Sequence, residues 1–169
     1  GVEYLAAVLR AFPESPRITE CAVNNLSNWI VALGQDKRAQ EKWAVEIATQ
    51  CGVLASDALR RMYLDKFLFA QILNFFGNLS CVSDDCVAIL LQKSQGGCVR
   101  VVADHVDASH LDEGIKETAI RVLGNFAKSS EAVSAGSRRR CTRWPKRFVR
   151  VAVVVRVFHG GQGHGRRVS

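Results

Sequence analysis

The chain has 169 residues, with 23 Lys or Arg against 16 Asp or Glu, 48% hydrophobic and 23% charged side chains. That length can bury a sizeable core, and the composition excludes a wholly disordered or fibrous chain. The net charge of +7 points towards nucleic acid until it is read by position. Ten of the basic residues lie between Arg138 and Arg167, where there is no acidic residue, so residues 1–135 hold 13 basic and 16 acidic groups. The body is weakly acidic and the end strongly basic.

In chain order, Val2, Leu5, Ala6 and Leu9 read as one face of an opening helix. The chain therefore begins inside helical structure, as a piece of a longer solenoid or a processed product would. Ser15-Pro16 is a cap followed by proline at the first helical position, opening a helix over about 16–32. A polar break at Gly34–Arg38 leads into an amphipathic stretch at Glu41–Gln50, carrying Trp43, Ala44, Ile47 and Ala48. Gly52 is expected to interrupt it before Val53–Met62 resumes. Asp65 can cap a helix to about Ser80, and Ser83 one that carries Cys86, Ile89, Leu90 and Leu91. Gly96-Gly97 makes the next break, and Cys98–Val106 follows. Asp112 or Ser109 then caps a long helix through Lys128, with Glu113 and Glu117 near its positive end.

Three of these helices repeat without gaps: Ala22–Ile30 (AVNNLSNWI), Ile72–Ser80 (ILNFFGNLS) and Ala119–Ala127 (AIRVLGNFA). Each is apolar at i, i+1, i+4 and i+7, and each places Ser or Gly before an Asn. The asparagines, Asn28, Asn78 and Asn125, are spaced by 50 and 47 residues. The small residue before each Asn would let a neighbouring helix approach closely.

The chain from about Ile18 to Ala132 resembles armadillo repeats, within the wider armadillo/HEAT class. The period, the Gly96-Gly97 pair and the ending Val122-Leu-Gly-Asn125-Phe-Ala127 carry the likeness, and the unit Asp84–Lys128 matches best. The resemblance implies an all-α, right-handed superhelix of about two and a half three-helix repeats over residues 1–132. A basic, non-repeat tail would occupy 133–169, disordered or poorly packed.

In peptide-binding armadillo proteins an Asn at this place on the third helix lines a concave groove and bonds a peptide backbone. An amide suits that role, offering one acceptor and two donors to a peptide unit whatever its side chain. The simpler reading has each Asn tie its helix to the following loop or the next repeat. The importin-α branch places a Trp four residues before the Asn. Here those positions are Asn24, Asn74 and Arg121, so a Trp-lined groove for lysine-rich signals is not expected. Trp29 and Trp43 read as core. The candidate contacts for a protein or extended peptide are thus Asn28, Asn74, Asn78, Arg121 and Asn125.

Little else carries chemistry. The glycine-rich stretches lack the strand–loop–helix setting of a phosphate loop, and no nucleophile–base constellation supports an enzyme. His105, near Asp104 and Asp107, reads as solvated. The six cysteines read as structural thiols, with Cys21, Cys86 and Cys98 on apolar faces. Cys81 and Cys86 lack a second ligand pair, so no metal or other cofactor is expected. No run approaches the ~20 apolar residues of a membrane span, and the start does not read as a signal peptide. An intracellular protein, cytoplasmic or nuclear, is the expectation.

The tail admits three readings. Arg138, Arg139, Arg140, Arg143, Lys146 and Arg147, with Trp144 among them, could form an arm for RNA, DNA or anionic lipid. They could equally form a nuclear localisation signal, or the stretch could be unselected read-through or shifted-frame sequence. Phe148–Phe158 alternates loosely, as a strand would. Two functions remain: a non-catalytic scaffold holding a peptide or partner surface on its third helices, and nucleic-acid or anionic-surface binding through the tail.

Overall fold

Ser15 accepts a hydrogen bond from the Ile18 amide at 3.4 Å, and Pro16 fills the first helical position behind it. Helix α2, Pro16–Ala32, starts there, after α1 at Val2–Ala11. Asp36 caps α3, Lys37–Arg61, and Asp65 caps α4, Lys66–Val82, by accepting from the amides of Phe67 and Leu68. Ser83 caps α5, Asp84–Lys93, and α6 and α7 follow at Gly97–His105 and Glu113–Gly136. A short 3-10 turn, Leu33–Gln35, joins α2 to α3. This computed structural model describes residues 1–94, 97–106 and 109–136, and these contain helices and no strand. The expected strand at Phe148–Phe158 and the basic residues from Arg138 lie outside the described residues.

The helices form two rows. In one, α2 packs on α4 and α4 on α7; in the other, α1 packs on α3, and α3 on α5 and α6. The rows meet along α3·α4 and α5·α7, so the core lies between them. α4 contributes Leu68, Phe69, Ile72, Leu73, Phe75, Phe76 and Leu79, all buried. A fully buried side chain of this size stabilises by about 1.5–3 kcal/mol.

Polar ties join neighbouring helices, the first between the rows and the others within one row. Gln40 Nε2 donates to the Ile30 carbonyl at 2.9 Å, and Lys93 Nζ to the Thr49 carbonyl at 3.2 Å. Lys66 and Asp112, at the starts of α4 and α7, approach to 3.6 Å, both substantially exposed. An exposed pair of this kind contributes well under ~1 kcal/mol.

Two expectations are corrected here. Gly52 does not break a helix, because α3 runs through it for 25 residues. A Cβ built on Gly52 would lie 2.3 Å from Leu90 Cδ2, so the glycine serves the contact between α3 and α5. At Gly77, before Asn78, a Cβ would meet Val122 Cγ2 of α7 at an ordinary 3.5 Å, so α7 lies close there with room for a small side chain. Finally, α7 continues beyond Lys128 to Gly136. Ser129–Ala135 contains alanines and a glutamate that tolerate helix, and Gly136 is the residue type that ends one.

Candidate functional site

Asn28, Asn78 and Asn125 fall on α2, α4 and α7, the three helices of one row. One turn earlier on the same faces stand Asn24, Asn74 and Arg121, all exposed. Asn28 is exposed too, whereas Asn78 and Asn125 are half-buried. The row therefore brings the candidate residues onto successive neighbouring helices.

Asn125 is tied into that row. Its Nδ2 donates to Ser80 Oγ on α4 at 3.1 Å and lies 3.5 Å from Cys81 Sγ. Ser80 in turn donates to the Gly77 carbonyl at 2.8 Å. The amide nitrogen thus bridges α7 to α4, and the carbonyl Oδ1 is the atom suited to receive a peptide N–H. Nothing comparable joins Asn28 or Asn78 to another side chain among the described residues. The bridge and the ladder are compatible at Asn125, because they use different ends of one amide.

The aromatic residues depart from expectation. Trp29 is 39% and Trp43 42% exposed, so neither is core. Together with Gly1, Ala32, Leu33 and Ile47 they line an open apolar cleft of about 350 Å³. Helical periodicity placed each near the buried stripe, but the apolar stripe on α2 and α3 is wider than the surface their neighbours cover. Repeated exposure at one end of a stack has no signature within either helix alone.

His105 also differs, being half-buried rather than solvated. Its ring lies 4.1 Å from that of Tyr63, and Nδ1 sits 2.8 Å from the Val101 carbonyl. His110 Nε2 lies 3.2 Å from the Tyr63 carbonyl, so both histidines hold the α6–α7 turn against the end of α3. Neither contact assembles a nucleophile with a base.

Cys51, Cys86 and Cys98 are buried, while Cys21 and Cys81 are exposed, which corrects the apolar placement of Cys21. Burial, reinforced by Glu46, pushes the Cys51 thiol up to about 11, with Arg10 opposing. Burial and then Asp85 push Cys86 up to about 12, and burial raises Cys98 as well. At pH 8 these three are neutral thiols without nucleophilic character. Iodoacetamide at that pH should therefore label Cys21 and Cys81 in the native protein and spare Cys51, Cys86 and Cys98 until denaturant is added. Mass spectrometry of the digest reads this, and native labelling of Cys86 would contradict the burial. The raised values also set a sign for stability. The unfolded thiols lose their protons near pH 9 and the folded ones only at about 11 to 12, so stability declines as pH rises through that window.

Among the described residues no group of three or more His, Cys, Asp and Glu is placed to hold a metal ion. Nor is any helix among them long and apolar enough to cross a membrane. Comparison with protein-family models, with curated proteins and with solved structures finds no match.

Proposed function

We propose that this protein is a non-catalytic binding scaffold of the armadillo type. An extended peptide or partner surface lies across α2, α4 and α7. The observation that supports this is the row itself, three neighbouring helices that carry an Asn at one place in a repeated segment. Asn28, Asn74 and Asn78, the Asn125 carbonyl and the Arg121 guanidinium supply donors and acceptors for a peptide backbone. The weakly acidic body suits a partner with some positive charge.

The test is a double variant, Asn78→Ala with Asn125→Ala, in affinity capture from extract followed by titration of the captured peptide. Loss of about tenfold or more in affinity is expected if two amides contact the ligand. Unchanged affinity in a folded double variant removes the ladder. Asn125→Ala alone has a stability effect of its own, about 1 kcal/mol for its bond to Ser80. Urea denaturation measures that, and a larger loss would make the residue structural above all.

A second reading rests on the charge count of the tail, ten basic residues and no acidic one from Arg138 onward. There the partner is a polyanion, and affinity falls steeply with salt. If capture survives removal of residues 137–169, the scaffold reading stands. If affinity collapses and its salt slope disappears, the tail carries the binding.

A further inference from the structure

The offsets of 50 and 47 residues that relate Asn28, Asn78 and Asn125 also relate Ser15, Asp65 and Asp112, which stand just before the same helices. By those offsets Pro13, Thr19 and Ala58 take the places that Tyr63, Phe69 and His105 hold in the next unit. The later set is bulky. Phe69 is fully buried, and the rings of Tyr63 and His105 have their centroids 4.1 Å apart. The earlier, smaller set borders a hollow of about 190 Å³ between the end of α1, the start of α2 and the second half of α3. Its walls come from three successive helices, at an interface where the next unit carries larger side chains.

We propose that this hollow binds a small aromatic carboxylate with a hydroxyl group at the far end of its ring, a hydroxybenzoate-like ligand. Leu9, Leu54 and Ala58 supply the apolar wall for the ring. A cavity of about 150 Å³ holds one benzene ring, so this one has room for a ring with small substituents. Thr19 is 1% exposed and lines the hollow, and among the described residues its hydroxyl has no hydrogen-bond partner. A hydroxyl so far from bulk water needs a partner, which the ring hydroxyl supplies.

Three charged side chains complete the wall, Arg10, Asp57 and Arg61. Asp57 pairs with Arg60 at 2.9 Å. Arg61 pairs with Glu14 at 3.3 Å and donates to the Pro13 carbonyl at 3.3 Å. Arg10 has no ion pair among the described residues, so these five groups amount to three cations against two anions. The uncompensated charge is positive, which selects a carboxylate over an amine. Arg10 is also exposed, so the carboxylate keeps its contact with water while the ring is buried. Thr19 lies nine residues before Asn28 on α2, about 13 Å along the helix, so the site is distinct from the asparagine row.

The probes are 4-hydroxybenzoate, benzoate and phenol, titrated into the full chain and followed by amide chemical shifts. Saturable shifts in the millimolar range are expected at Leu9, Thr19, Leu54 and Ala58, with 4-hydroxybenzoate the tightest. Arg10→Met should weaken both acids about fivefold, the size of an exposed charge pair, and leave phenol unchanged. Thr19→Val should remove the advantage of 4-hydroxybenzoate over benzoate, about fivefold for one hydrogen bond. Ala58→His, which restores the ring of the next unit, should abolish binding, with circular dichroism showing that it folds. Should it not fold, Arg10→Met, at an exposed position, decides alone. Absence of saturation with all three probes overturns the proposal, water alone then occupying the hollow. So does equal binding of phenol and benzoate, or acid binding that Arg10→Met leaves intact. Shifts centred on the asparagine row, or loss of 4-hydroxybenzoate in the folded Asn78 and Asn125 double variant, overturn it as well.

Discussion

Phe76→Ala is expected to lower the unfolding free energy by about 3–5 kcal/mol, the range for deleting a buried aromatic ring. Phe76 is fully buried on α4, with its ring centroid 5.7 Å from Phe75 and 6.3 Å from Phe126 of α7. Truncation removes the ring and leaves a hole between two helices whose backbones are held apart by their other contacts. Part of the loss therefore comes from the cavity rather than from transfer of the ring to water. Phe76→Leu retains most of the volume and should lose less than half as much. Urea melts followed by circular dichroism compare the two. Equal losses would mean that α4 and α7 close up over the gap.

Gly52→Val is the second large effect, a loss of about 3 kcal/mol from overpacking. Helix propensity alone predicts the opposite sign for Gly52→Ala, a gain of about 1 kcal/mol in the interior of α3. The structure decides against propensity. The new Cβ would overlap Leu90 Cδ2, and Leu90 is only 1% exposed, so its side chain has little room to turn away. A double-mutant cycle separates the two terms. In a Leu90→Ala background, Gly52→Ala should stabilise, because the obstacle is gone and the propensity gain remains. If Gly52→Ala has the same effect in both backgrounds, α3 and α5 do not meet at this point.

Local chemistry made most helix boundaries legible in the sequence. Ser15, Asp65 and Ser83 were readable as caps because a side-chain acceptor before an apolar stripe acts within one turn. Gly52 was misread for the complementary reason. As a local signal it means a break, and its tertiary meaning depends on Leu90, 38 residues away. The tryptophans were misread because periodicity shows which residues share a face, not whether another helix covers it. The site divides in the same manner. That Asn28, Asn78 and Asn125 occupy equivalent places was visible in the repeat, but the tie from Asn125 to Ser80 was not. A repeat reports on equivalent positions, whereas that bond joins different residues of adjacent segments.

The two-row packing has a consequence for how the molecule opens. Contacts join helices that are near neighbours in order, and α4 alone in its row is flanked on both sides. Opening energies should then grade along the molecule instead of taking one global value. In native-state hydrogen exchange, amides of α1 should exchange through local fraying, and those of α4 only through the largest opening. A ligand spanning α2, α4 and α7 would flatten that gradient, slowing exchange even in helices it does not touch, as a splint stiffens every joint it crosses.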